Sequence, residues 1–445
     1  MDAREKSVLS QRLKEDRLSQ LPDPLIICHI LSHLPIKQVV KTSVLSTRWR
    51  SLWLWLPSLE MELECWNFSN SFMSFGDRFF DPNRVSCIEN LKLTICIDSS
   101  YITSWIVAAV TRKIQHLDLC CHDLHPFVIP TSMYTSETLV SLKLSQATLA
   151  SAKFFSLPRV KTLHLKSISY TDEAIFERLV SSCSVLEELE VATFLNDKAI
   201  VFRVCSTSLK KLNIRMQQLV YAYCSGVVID APLLSYLSIN VDLSQSFVVI
   251  KKMQPNAKLD ISCFNLILFY EIRVSSKRNS IGRFLSQISE VKDMTICNDT
   301  LKVICHYSKL ELLPQFSNMS RVQATLHHSK LEELLTFLKS CPNLKSLILV
   351  CDGIYEELLF KEMSQISFSY MPQCFLPSLE FIDLKFPIRV RLKIVRYFLE
   401  NTPMLKKLTL HLADYSIQEM STFKEALLKM TRSSSECDIV VLDWY

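Results

Sequence analysis

Glycine is nearly missing from this chain. Gly76, Gly226, Gly282 and Gly353 are the only four in 445 residues, and no two are close in sequence. Loops that cradle phosphate need glycines a few residues apart, so that backbone N–H groups can approach the ligand. The G-x-G-x-x-G, G-x-x-x-x-G-K-[ST] and G-x-S-x-G motifs are therefore excluded. Dinucleotide enzymes, P-loop NTPases and nucleophile-elbow hydrolases go with them.

Other absences narrow the class further. No run of about 18 apolar residues reads as a membrane span. The start, MDAREKSVLSQRLKEDR, lacks the apolar run of a secretory signal. The sixteen cysteines include no C-x-x-C pair. They read as reduced, buried small side chains of an intracellular protein, cytoplasmic or nuclear. Charge is close to balanced, with 50 basic and 45 acidic residues for a net +5. That gives no case for nucleic acid, which calls for a clustered basic face.

Chemistry-bearing clusters are weak. Cys120-Cys121-His122 with His125 is the densest, but adjacent cysteines rarely both reach one zinc ion. His327-His328 are successive residues in a strand-like segment and face opposite ways. No nucleophile, base and orienting group can be assembled from spacing. The expectation is no metal, no cofactor and no catalytic residue.

What is present is apolar side chains, 49% of the chain, arranged in two kinds of pattern. The first lies between Leu18 and Trp53. Leu25, Ile26, Ile30, Leu31 and Leu34 make one helical face that Pro35 ends. Ile36, Val39 and Val40 follow, then Val44, Leu45, Trp49, Leu52 and Trp53. Pro22 or Pro24 suits a first helical turn. Three short helices in about 40 residues cannot bury enough surface to be robust alone. The unit must lean on a neighbour, in cis as a cap or in trans as a partner.

The segments Leu21-Pro22-Asp23, Ile30-Leu31-Ser32-His33-Leu34-Pro35 and Thr42 to Arg50 resemble the plant F-box almost position for position. Thr47 departs from the Lys commoner there. The resemblance implies docking on a Skp-type adaptor, and through it a cullin. It places adaptor contact on Leu21, Pro22, Leu25, Ile26, Ile30, Leu31, Leu34, Pro35, Val44 and Leu45. Trp49 and Trp53 are expected to pack on the next domain, and Arg48 and Arg50 to serve solubility.

The second pattern is L-x-x-L-x-L, from about residue 86. Its central leucines fall at 91, 117, 142, 163, 189, 212 and 237, a spacing of 21 to 26 residues. That is the range of leucine-rich repeats. Later copies are LKSLIL (Leu344–Leu349), LEFIDL (Leu379–Leu384) and LKKLTL (Leu405–Leu410), with degenerate ones at 257–261, 291–296 and 321–326. Helices are expected at Asp172–Cys183, Lys330–Cys341 and Thr422–Met430. Val274–Ser280 reads as a surface loop. The segment from LPSLEF to LDWY, with RSSSECDIVV at 432–441, resembles the FBD region of one plant F-box subgroup.

The fold class is therefore α/β: a three-helix F-box-like module, a leucine-rich-repeat solenoid and an FBD-like cap. The organisation is 1–15 flexible lead-in, 16–60 helical module, 86–350 solenoid, 351–374 inserted excursion and 375–445 FBD-like region. Residues flanking each central leucine face the concave side. His116, Asp118, Lys143, His164, Glu188, Glu190, Lys211, Asn213 and Tyr236 are the candidate target contacts. Their mixed chemistry suits a protein target. The expected role is the substrate-recognition subunit of a ubiquitin ligase, with no membrane partner. An adaptor-independent scaffold is the alternative, and a small-molecule receptor on the same layout a lesser one.

Overall fold

The computed structural model describes residues 20–62, 69–83, 86–95, 99–121, 127–195, 201–218, 226–243, 246–262, 270–326, 331–351, 377–385, 388–412 and 417–443. The expected lead-in, His122, His125, the His327-His328 pair and all but Cys351 of the excursion lie outside them. The chain divides into two compact units, Met1–His164 with Ile168–Ile175, and Leu165–Ser167 with Phe176–Tyr445.

The first unit opens on helix α1 (Asp23–His29). Pro22 caps it from extended backbone and accepts the N–H groups of Leu25 and Ile26. A 3₁₀ turn at Leu31–His33 follows. Pro35 does not end one long helix, as the apolar spacing suggested. It caps α2 (Ile36–Lys41), accepting from Gln38 and Val39. The third expected helix is a pair of 3₁₀ segments, Thr42–Val44 and Trp49–Trp55.

A ladder of parallel strands then begins, earlier than the leucine motif suggested. Its strands are β1 (Ser58–Glu62), β2 (Asn90–Ile95), β3 (His116–Cys121), β4 (Ser141–Ser145) and β5 (Thr162–Lys166). Leu59, Leu91, Leu117 and Leu142 stand in one register column, and Met61, Leu93, Leu119 and Leu144 in the next. All are buried. Alternation along a strand sends every second side chain inward, and each buried Leu is worth about 1.5–3 kcal/mol.

Behind the first strands lie helices α3 (Ser69–Phe79) and α4 (Ser99–Thr111). Trp53 stacks on Phe75 at 4.7 Å between centroids, with Phe79 beyond at 6.4 Å. Gly76 in α3 allows the Trp105 ring of α4 to pass over it, where a Cβ would collide. Buried Arg112 holds the assembly, donating from Nη1 to the Phe79 carbonyl at 2.8 Å and from Nε to the Ser86 carbonyl at 2.7 Å. A separate parallel sheet joins the short strands Phe127–Val128, Ala147–Leu149 and Ser169–Tyr170.

The second unit continues the same construction with β6 (Glu188–Leu195), β7 (Lys211–Gln218), β8 (Tyr236–Val241), β9 (Lys258–Ser262), β10 (Asp293–Ile296), β11 (Arg321–Leu326), β12 (Ser346–Cys351), β13 (Phe381–Lys385), β14 (Lys407–Leu412) and β15 (Asp438–Asp443). One register column runs from Leu189 through Leu212, Leu237, Leu259, Met294, Val322, Leu347, Ile382 and Leu408 to Ile439. The segments read as degenerate, β9 to β11, are full members.

Helices α5 (Ala174–Ser181), α6 (Tyr270–Gln287), α7 (Asn298–Ser308), α8 (Leu331–Leu338), α9 (Ile388–Asn401) and α10 (Ile417–Leu428) return the chain. The expected loop at Val274–Ser280 is inside α6. It lacks Gly and Pro, so its polar residues continue the helix while Phe284 and Leu285 are buried. The helix expected at Thr422–Met430 starts five residues earlier. Near the helix ends, Cys183 and Cys341 are buried, and burial pushes their thiols up to about 11 and about 12.

Leu237→Ala is expected to cost about 2–5 kcal/mol of stability by opening the column. Ser238→Ala, one position along and facing out, should stay within about 0.5 kcal/mol. Urea unfolding of both variants against the native chain measures the contrast.

Candidate functional site

Two surfaces carry unsatisfied chemistry. The first is the helical module at the start of the first unit. Ile26, Leu31, Val39 and Trp49 are buried and form its interior. Opposite in behaviour, Val44 is 88% exposed, Leu45 63%, Leu25 43% and Leu34 39%. Large apolar side chains left this open mark a contact surface. Pro22 and Pro35 are also exposed, and Leu21 and Ile30 half-buried. The expectation that Ile26 and Leu31 face a partner is corrected: both are fully buried in the module, Ile26 on α1 and Leu31 in the 3₁₀ turn that follows it.

Arg48 is corrected as well. It donates from Nε to Asp23 Oδ1 at 2.7 Å and from Nη2 to the Leu21 carbonyl. It therefore ties the third segment to the Leu-Pro-Asp turn and sets the spacing of the exposed face. A basic residue 25 positions from its acid gives no periodic signal, so the sequence hid it. Trp53 does pack onward, with Arg78 lying 5.4 Å above its ring.

The second surface is the outward row of each ladder. In the first unit, Lys92 pairs with Glu60 and lies one register step from Asp118, with Lys143 next. His116 is exposed, and Asp118, Lys143 and His164 are half-buried. In the second unit, Glu188 and Lys211 pair at 2.8 Å, and Glu190 and Arg215 at 3.1 Å. The hydrogen bond to Glu188 raises the Lys211 ammonium above its ordinary value. Tyr236 is next in register to Lys211. Among the described residues, no partner reaches the buried side-chain oxygen of Asn213. The nine nominated residues thus divide between units, His116, Asp118, Lys143 and His164 in one, Glu188, Glu190, Lys211, Asn213 and Tyr236 in the other.

Asp260 lies between Ser238 and Thr295 in register. Burial pushes its carboxyl up, and the Ser262 hydroxyl at 3.4 Å only partly opposes this. Among the described residues no group of three His, Cys, Asp or Glu could hold a metal ion. No described helix is long and apolar enough to cross a membrane.

The geometry of both surfaces meets three family models: the F-box domain at residues 18–60, the LRR repeats of FBD-associated F-box protein At5g56370 at 102–255, and FBD at 365–410. Full-length similarity decides the matter. The chain is 52% identical to the putative FBD-associated F-box protein At5g53635 of Arabidopsis thaliana, over 96% of this chain and 100% of that one. It belongs to the F-box/FBD/LRR-repeat family.

Other relatives from the same plant are the putative F-box/FBD/LRR-repeat protein At2g05300, 48% identical over 98% of this chain and 99% of its own, and F-box/FBD/LRR-repeat protein At5g22700, 39% identical over 96% and 98%. An F-box implies an adaptor of the Skp type. Within the family frame, the exposed Leu25, Leu34, Val44 and Leu45 are F-box residues, and β13 and β14 overlap the FBD match.

Leu31→Ala is expected to destabilise the F-box by about 2–5 kcal/mol, while the exposed pair Val44→Ser with Leu45→Ser stays within about 0.5 kcal/mol each. Thermal melts of the full chain separate interior from face. At Asp260 the folded state holds its proton more tightly than the unfolded chain, so ionisation at neutral pH works against folding. Asp260→Asn should therefore raise the urea midpoint at pH 7. The gain should shrink as pH falls through the carboxylate range, where the native side chain becomes neutral too.

Proposed function

We propose that this chain is the substrate-recognition subunit of a Skp–cullin–F-box type ubiquitin ligase. The F-box would hold the adaptor, and the ladder rows a target protein. The observation that carries this reading is the exposure of Val44, Leu45, Leu25 and Leu34 within the F-box match. Among the described residues, five of the sixteen large apolar side chains left exposed fall between Leu25 and Trp55. A partner that covers them offsets the cost of leaving them in water.

In this reading no residue of the chain performs chemistry. Tethering raises the effective concentration of the target beside a ubiquitin-loaded conjugating enzyme. Orientation comes from a rigid link between adaptor and ladder. Trp53 stacked on Phe75 and Phe79, with Arg112 clamping the helix behind, supplies rigidity on the F-box side. The same packing favours the scaffold reading, in which the module only caps the first repeats in cis. The exposed apolar face favours the receptor reading.

The test is capture of the full chain by purified Skp-type adaptor, native against a Val44→Asp, Leu45→Asp variant. Native capture with at least a hundredfold loss in the folded variant is expected. Failure of the folded native chain to bind would transfer the module to the scaffold role.

A further inference from the structure

The nine residues nominated from sequence stop at Tyr236, but the outward row runs on through β14. Its composition changes there. At β12 and β13 the positions that should be polar carry Ile348, Val350 and Phe381. Ile348 and Val350 are half-buried, and Phe381 is 44% exposed at the start of its strand. Nothing in the ladder requires an aromatic ring at that position, since the inward columns of β13 are filled by Ile382 and Leu384. Exposed aromatics set among half-buried aliphatics are the usual anchors of protein contacts.

The charges around this apolar centre are unequal. Glu380 pairs with Lys406 at 2.6 Å, and Asp383 Oδ1 lies 2.9 Å from the imidazole Nε2 of His411. The Lys406 hydrogen bond holds the Glu380 carboxyl below its usual value. Lys407 is in register with Phe381 and Lys385 with Val350, and the Lys345 carbonyl accepts the Phe381 N–H; none of the three forms an ion pair among the described residues, and Lys345 adds to the field that lowers Glu380. Lys407 stands opposite Asp438 in register, yet the two charges are not paired. At about 4.8 Å per strand, β12 to β14 spans about 10 Å, the reach of a few residues of extended chain.

Resting on the receptor reading above, we propose that the outward face of β12 to β14 is the target-docking patch, and that it takes an extended acidic segment bearing an apolar side chain. Phe381, with Ile348 and Val350, receives the apolar side chain. Lys345, Lys385 and Lys407 receive carboxylates on either side of it. The patch lies where the leucine-rich ladder enters the FBD match, which gives that region a recognition role besides capping the ladder.

The test uses the full chain with its adaptor and a fluorescein-labelled twelve-residue peptide of Asp and Glu around a central Leu-Phe pair. Two comparison peptides replace the acids by Lys, or the Leu-Phe pair by Gly-Gly. Anisotropy titration should give at least tenfold tighter binding of the acidic apolar peptide than of either comparison. Binding should weaken with added salt. Phe381→Ser and the double variant Lys345→Glu, Lys407→Glu should each lose at least tenfold, with unchanged melting and adaptor capture. Equal binding of the three peptides, or native affinity in both variants, overturns the patch. Adaptor capture from the same preparation is read independently, so lost selectivity with capture intact counts against the patch alone.

Discussion

The parallel register of buried leucines is the constraint on which everything else here depends. A single L-x-x-L-x-L strand presents two apolar side chains and has nothing of its own to cover them. Stacking Leu189 on Leu212 on Leu237 covers each from both sides, and the period of two then fixes where every intervening residue must point. Slipping one strand by a residue would put its leucines in water and its charges in the core. The ladder is therefore both the source of stability and the device that aims the outward row.

That row has its own internal logic. Residues opposite one another on neighbouring strands are close enough to interact, so a repeat with Glu at one outward position and a following repeat with Lys there neutralise each other. Glu188 with Lys211, and Asp293 with Arg321, follow this rule. Such exposed pairs add little to stability, about 0.2–1 kcal/mol each. Their effect is to remove charge from the surface, which leaves the unmatched positions as the ones able to attract a partner. On this reasoning the informative outward residues are those whose register neighbours fail to complement them.

The sequence disclosed the ladder because its signal repeats. It disclosed the F-box because a short motif is dense there. It failed where a structural role depends on one distant contact or on a missing residue type. Arg48 joins Asp23 across 25 positions, and α3 is recognisable mainly from Trp53 and Trp105 packing against it. The segment 274–280 is polar enough to suggest a loop, yet without Gly or Pro nothing in it breaks α6. Among the described residues the positive φ values fall on Lys113, Gln146 and Ser167, while Gly76 and Gly282 let an aromatic ring approach. Turns are thus made by residues that tolerate the left-handed region at a cost of about 1–2 kcal/mol, and the ladder's burial offsets it.

Ile26 and Leu31 sharpen the division between stability and binding within the F-box. A motif alone marks every apolar position as a contact, since the same side chains serve folding and docking in sequence. Folding assigns them: Ile26 on the seven-residue α1 and Leu31 in the 3₁₀ turn after it are both used up in the module's interior. What stays in water is the fraction that the module cannot bury for want of mass, Val44 and Leu45 above all. A module of this size keeps an apolar face open because it has no second layer to cover it. On the proposed receptor reading, the same shortage that makes it weak alone equips it to dock.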